Sequence, residues 1–136
     1  MWPNGSKYQG GYVKGKRHGY GHFTWANKNE YKGDYIDGKK HGRGIYKYSD
    51  GRTYEGSYKN DKREGFGTFK WPDGRSYEGD YVNDKQEGDG IFRWPDGRKY
   101  NGLWLNDKQE GEGIFTTSEG EIKKGRWKNG ERVAWL

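Results

Sequence analysis

Apolar and polar residues alternate along this chain in short runs. Tyr54, Gly56 and Tyr58 alternate with Glu55, Ser57 and Lys59, and Gly65, Gly67, Phe69 and Trp71 alternate with Phe66, Thr68 and Lys70. A period of two is that of a β-strand, whose successive side chains point to opposite faces. The two runs are separated by Asn60-Asp61-Lys62-Arg63 and followed by Pro72-Asp73-Gly74-Arg75. Both segments are turn formers. The pattern predicts a hairpin, a connection and then another hairpin, which makes the fold an all-β antiparallel meander.

The unit recurs at a fixed period. Tyr8, Tyr31, Tyr54, Tyr77 and Tyr100 lie 23 residues apart, each opening a Tyr-x-Gly triplet, and Lys123 opens a degenerate sixth copy. Two residues past that glycine stands a second ring: Tyr12, Tyr35, Tyr58, Tyr81, Trp104 and Trp127. Gly-x-Gly follows the turn at 19/21, 42/44, 65/67, 88/90 and 111/113. A third ring comes next (Phe23, Tyr46, Phe69, Phe92, Phe115), and a fourth at Trp2, Trp25, Tyr48, Trp71 and Trp94, with Thr117 in its last slot. Such a period marks a single array of identical supersecondary units over residues 1–136. A two-stranded unit advances roughly 9.6 Å, so the array predicts a single-layer ribbon roughly 50–60 Å long. Each unit would touch only its neighbours.

Composition decides what can form the core. Only 28% of the 136 residues are hydrophobic and 34% are charged, a balance usually too polar to fold. Val, Ile and Leu number 11 against 24 Phe, Trp and Tyr, so any core is aromatic. Each ring buries about 150–250 Å², which lets few residues carry it. Pairing the strands about residues 60–63 sets Tyr58 against Gly65, Gly56 against Gly67, and Tyr54 against Phe69, so that rings lie over cross-strand glycines. This accounts for mid-strand glycine, which otherwise weakens a sheet: the missing Cβ makes room and the ring shields the bare backbone. One face is then aromatic and glycine, the other mostly charged or hydroxylated.

Tyr54-Glu55-Gly56-Ser57-Tyr58 with Gly65-Phe66-Gly67-Thr68-Phe69, and Tyr77–Tyr81 with Gly88–Phe92, resemble the MORN repeat (membrane occupation and recognition nexus). The resemblance covers essentially residues 2–130. It implies a twisted, grooved sheet of hairpins and roles in scaffolding, protein docking and acidic-lipid binding. It also implies the role of a segment beside a catalytic domain such as a lipid kinase or SET-type methyltransferase. The chain departs from the pattern where Asp61, Asp84 and Asp107 stand in the first turn, a place for glycine in that family. The sixth unit lacks Gly-x-Gly and ends on Arg132-Val133-Ala134-Trp135-Leu136, which reads as a cap, a pairing edge for a second copy, or the start of a further segment.

Little in the chain suggests chemistry. Without cysteine there is no disulfide or thiolate metal site, and no apolar run nears the ~20 residues of a membrane span. His18 and His41 share a slot with Glu64, Glu87 and Glu110. Equivalent slots lie roughly 9.6 Å apart and His22 lies roughly 13 Å along the strand from His18, too far to share an ion at ~2 Å. These read as solvated turn residues. The Asp-Gly pairs at 50–51, 73–74 and 96–97 read as turns, and the Gly-x-Gly pairs as ring-packing sites within strands rather than phosphate loops. The chain is therefore expected to have no catalytic residues, no metal and no cofactor.

Two surfaces remain as binding candidates. A single layer cannot bury both faces, so the rings Tyr8, Tyr12, Tyr31, Tyr35, Tyr54, Tyr58, Tyr77, Tyr81 and Trp104 are the candidate groove for a partner peptide or helix. Net charge is +6 but graded: residues 1–30 carry +4, 31–53 +3, 54–76 +1, 77–99 −2, 100–122 −4 and 123–136 +4. Lys14, Lys16, Arg17, Lys39, Lys40 and Arg43 crowd two neighbouring turns and are the candidate contact for acidic lipid headgroups or another anion. The first reading is a protein-docking scaffold, with self-association through the charged ends as a variant. The alternatives are a peripheral membrane module and a positioning segment of a larger enzyme. The expected location is the cytoplasm, with cytoskeletal or membrane association. Nucleic acid fits poorly, because the rings follow a packing period and half the ribbon is acidic.

Overall fold

A computed structural model describes residues 2–136. Six hairpins follow one another: β1 (Lys7–Val13) with β2 (Lys16–Thr24), β3 (Glu30–Ile36) with β4 (Lys39–Lys47), β5 (Thr53–Lys59) with β6 (Lys62–Lys70), β7 (Ser76–Val82) with β8 (Lys85–Arg93), β9 (Lys99–Leu105) with β10 (Lys108–Thr116), and β11 (Ile122–Lys128) with β12 (Glu131–Trp135). They form one open 12-stranded sheet whose strands pair in chain order. Among the described residues there is no helix and no second sheet.

Each hairpin turns on two residues, both left-handed. Lys14-Gly15 has φ of 51° and 79°, and Asn60-Asp61 and Asn83-Asp84 each have 50° and 70°. Paired positive φ is the type I′ geometry that matches strand twist. The turn expected over residues 60–63 is thus shorter than the sequence suggests, because Lys62 and Arg63 already belong to β6.

The expected register is right for two pairs and wrong for the third. Tyr54 faces Phe69 and Gly56 faces Gly67, but Tyr58 faces Arg63, not Gly65. Residues 64–66 bulge against Ser57 alone, and Gly65 takes φ 89° to do so. A bulge puts extra residues on one strand and interrupts the ladder. Gly65 meets its ring in the next hairpin, opposite Tyr81. Hairpins at β1–β2, β3–β4, β7–β8 and β9–β10 slip at the same place.

Glycine and tyrosine interlock as a unit. The Tyr54 ring fills the volume that a Cβ on Gly67 would need, and its hydroxyl stands 2.7 Å from where a Cβ on Gly56 would be. That hydroxyl donates to the Ser57 carbonyl at 2.9 Å. Tyr31, Tyr77 and Tyr100 repeat the arrangement, donating to the carbonyls of Asp34, Asp80 and Leu103. These four rings are 0% exposed, and each buried hydroxyl has the partner that burial requires. They alternate with the second ring of each unit. Tyr35, Tyr31, Tyr58, Tyr54, Tyr81, Tyr77, Trp104, Tyr100 and Trp127 form an unbroken edge-to-face chain. Each such pair contributes about 0.5–1.5 kcal/mol beyond the area it buries.

The opposite face is less polar than its sequence suggests. Tyr20, Ile45, Phe66, Leu103 and Ile114 are exposed there among Lys32, Glu55 and Asp80. Four of the five occupy the x of Gly-x-Gly or the slot two residues on, and Leu103 stands opposite Asp89, itself the x of a Gly-x-Gly.

Gly67→Ala drives a methyl into the Tyr54 ring and is expected to lower stability by about 1–3 kcal/mol in urea unfolding. Thr68→Ala, next door on the open face, is expected to stay within about 0.5 kcal/mol. Equal losses would mean that the ring and glycine do not interlock. Burial also pushes the hydroxyls of Tyr81 and Tyr100 up from 10.0 to about 12, and those of Tyr31, Tyr54, Tyr58 and Tyr77 further still. The folded chain holds these protons more tightly than the unfolded one. Their contribution is therefore complete below about pH 10 and is lost as pH rises through about 12. Tyrosinate absorbance and loss of β circular dichroism should rise together in an alkaline titration. Full ionisation near the ordinary value with the sheet intact would refute this.

Candidate functional site

A second row of rings runs beside the buried chain on the same face. Phe23, Trp25, Tyr46, Tyr48, Phe69, Trp71, Phe92, Trp94 and Phe115 touch in succession, with centroids 4.4–6.1 Å apart. Phe23 and Phe69 are buried, while the others keep part of their surface open. The position of this row follows from the connections. The Trp71 amide donates to the Arg75 carbonyl and the Gly74 amide to the Trp71 carbonyl, with Gly74 at φ 98°. Asp73 accepts from both the amide and Nε of Arg75, whose guanidinium covers the Trp71 ring at 5.1 Å. Those hydrogen bonds, the Arg75 amide first, hold the Asp73 carboxyl below its ordinary value. Arg52 on Tyr48 and Arg98 on Trp94 repeat the motif with Asp50 and Asp96. The Asp-Gly pairs are turns.

The hairpin turns build the other wall. The Asp84 amide donates to the Arg63 carbonyl at 3.0 Å, and the Asp84 carboxylate accepts from the Arg63 amide at 2.8 Å. Asp61 clasps Lys40 and Asp107 clasps Gln86 in the same reciprocal way. Gly38 and Gly130, in the equivalent slot, donate their amides to the carbonyls of Arg17 and Gln109 but have no carboxylate to return, although the Gly38 carbonyl accepts from the Arg17 guanidinium at 3.0 Å. The aspartates thus accept a left-handed φ that favours glycine and offset it with a hydrogen bond that glycine cannot make. Below them Glu64 and Glu110 accept from the amides of Asn83 and Asn129, and His18 Nδ1 is buried. At Glu64 and Glu110 this half-exposed slot supports the next hairpin's turn.

Between the walls lies a row of long polar side chains on an aromatic floor. Arg17 sits over Phe23 at 4.9 Å and Tyr35 at 5.2 Å, Lys40 lies among Trp25, Tyr31, Tyr46 and Tyr58, and Arg63 sits over Tyr81 at 4.9 Å. Cation–π contact suits them to that floor. The open volume is a run of hollows, one lined by Lys40, Tyr46, Tyr48, Tyr58, Asp61, Arg63 and Asp84, and the next by Arg63, Phe69, Trp71, Tyr81, Gln86, Phe92, Trp104 and Asp107.

Of the rings singled out from sequence, Tyr31, Tyr54 and Tyr77 have no exposed surface, and Tyr35, Tyr58, Tyr81 and Trp104 only traces. They form the floor and present little or nothing to a partner. Tyr8 is half-buried and Tyr12, at 54%, is open; among the described residues β1 pairs on one side only, with β2. The accessible rings of the groove are instead Trp25, Tyr46, Tyr48, Trp71, Phe92, Trp94 and Phe115. Their third and fourth slots were visible in the 23-residue period. Which slots would sink was not, because that depends on the tyrosine–glycine interlock. The six basic candidates also separate. Arg17 and Lys40 point into the groove, Arg43 stands on the opposite face beside Tyr20, Ile45 and Glu55, and Lys14, Lys16 and Lys39 surround the turns. Among the described residues, no group of three or more His, Cys, Asp or Glu could hold a metal ion.

The MORN repeat family matches residues 8–30, 31–51, 54–74, 77–97 and 100–122. The chain belongs to the MORN-repeat family. The β11–β12 hairpin lies beyond the matched MORN repeats. No curated protein matches the chain. Among solved structures, this MORN array is similar to the SAS-4 (dCPAP) TCP domain of Drosophila melanogaster, in complex with a proline-rich motif of Ana2 (dSTIL), at 14% identity and a TM-score of 0.47. The match covers 98% of this chain and 86% of that one.

Asp84→Ala removes the acceptor of the Arg63 amide and leaves a non-glycine residue at φ 70°. Stability should fall by about 1–3 kcal/mol in urea unfolding, and Asp84→Gly should recover part of the loss. Wild-type stability in Asp84→Ala would mean that the carboxylate contributes nothing.

Proposed function

We propose that this MORN array is a non-catalytic interaction scaffold that holds a linear segment of a partner protein in its aromatic groove. The observation that carries this reading is the second ring row. It is continuous, half-open and walled on both sides, and nothing in the fold covers it. Aromatic side chains in a shallow concave surface are the usual anchors of protein recognition.

Two features favour a protein segment over the other occupants. The six basic candidates are divided, Arg17 and Lys40 lying over the groove rings, Arg43 on the opposite face and Lys14, Lys16 and Lys39 about the turns, whereas an anionic membrane is met best by cations on one side. Both ends of the ribbon are basic, +4 over residues 1–30 and +4 over 123–136, so end-to-end stacking of copies would bring like charges together.

Peptides selected from a random library against the wild-type protein should bind Trp71→Ala/Trp94→Ala about tenfold or more weakly. They should bind Phe66→Ala/Leu103→Ala, altered on the opposite face, as they bind the wild type. Circular dichroism should show an intact sheet in both. Selected peptides that ignore the loss of Trp71 and Trp94 would overturn the groove reading.

A further inference from the structure

The central row of the groove is electrically graded. Lys40 is paired with Asp61, and Arg63 with Asp84. Arg17 stands in the equivalent slot, but its turn partner is Gly38, which offers a carbonyl and no carboxylate. Among the described residues no acid pairs with Arg17, and its Nε is buried without an acceptor. At the other end the relation is inverted: Asp107 clasps the amide of Gln86, a neutral residue, and no cation pairs with it. On the connection wall the three central turns are neutral, since Arg52, Arg75 and Arg98 each pair with their own aspartate, while the turn at 25–29 carries Lys28 and that at 117–121 carries Glu119 and Glu121. The row ends at the last hairpin, where Arg132 lies exposed on Trp135.

We infer that the groove accepts its partner segment in one direction only, with an acidic residue at Arg17, apolar side chains along the open rings, and a basic residue at Asp107. This rests on the groove reading. Arg17 and Gln86 are three repeats apart, roughly 29 Å at two strands per repeat. An extended chain spans that in about nine residues. Reversing the segment sets acid against Asp107 and a base against Arg17, and like charges facing each other weaken binding.

The probe is a fluorescent peptide of about twelve residues, with glutamates at its amino end, lysines at its carboxyl end and leucine and tyrosine between. It is paired with an isomer of the same composition whose charges are mixed. Anisotropy should show the bipolar peptide binding about tenfold tighter. Arg17→Gln and Asp107→Asn should each weaken it about threefold to fivefold, without changing binding of the isomer. A spin label on the lysine end should broaden amides near Asp107 and not those near Arg17. The peptide with its sequence reversed should bind in the same charge sense, with the label again following the lysines. Equal binding of bipolar and mixed peptides, equal broadening at both ends, or no binding of either would overturn the inference. If Trp71→Ala/Trp94→Ala abolishes binding while both charge substitutions are silent, only the directionality fails. If the ring substitutions are silent too, the groove reading fails with it.

Discussion

The ribbon depends on a tyrosine ring laid across two glycines and closed by its own hydroxyl. Tyr54 shows why each part is needed. A Cβ on Gly67 would occupy the ring's volume, and a Cβ on Gly56 would crowd the hydroxyl. Phenylalanine would leave the Ser57 carbonyl without the bond it accepts at 2.9 Å. A single-layer sheet has no second layer to exclude water, so it must cover its backbone with its own side chains. Glycine lets the cover lie flat, and a flat ring seals the strand pair beneath it. That is how a chain with 28% hydrophobic residues encloses a dry core.

The same device makes the fold one-dimensional. Each buried tyrosine meets one ring in its own hairpin and one in the next, as Tyr54 meets Tyr58 and Tyr81. Each turn is clasped by the strand one hairpin back, as Asp84 is by Arg63. Floor and wall are therefore both nearest-neighbour contacts, and the ribbon's stability approximates a sum over adjacent hairpins. At the end of the array, Lys123 replaces the tyrosine. There Trp135 comes into the cross-strand slot opposite Gly125 and meets Trp127 at 6.2 Å, a ring brought back from the last strand in place of the missing one.

Much of this was legible because the period repeats every requirement five times. Strand alternation, the hairpin order, the aromatic face and the pairing of Tyr54 with Phe69 all follow from spacing alone. The bulge at residues 64–66 does not, since Gly65 looks like any other strand glycine until its φ of 89° is known. That slip moved Tyr58 from Gly65 to Arg63 and placed a cation, not a glycine, on the aromatic face. From this came the error about the groove. Sequence marked the tyrosines as candidate contacts because a single layer cannot bury both faces, but here the glycines let those rings sink and leave most of the third and fourth rings partly open. The clasping role of Asp61, Asp84 and Asp107 was hidden for a related reason: the residues they hold lie 21 positions away, in another hairpin.

Packing and selectivity fall on different slots of the repeat, and this separation is what lets a monotonous fold carry a specific surface. The glycines beneath the first ring, and that ring itself, cannot vary without a clash or an orphaned carbonyl. The row at 17, 40, 63, 86 and 109 only has to lie over rings with its long apolar stem, and Arg, Lys and Gln all do that. The turn slot at 38, 61, 84 and 107 only has to adopt a positive φ, which Gly and Asp both manage here. Choosing cation or amide in one row and carboxylate or hydrogen in the other writes a charge pattern along the groove without disturbing the floor. In this chain the two rows cancel at the middle repeats and fail to cancel at Arg17 and Asp107. A groove whose shape repeats every hairpin thereby acquires two distinguishable ends.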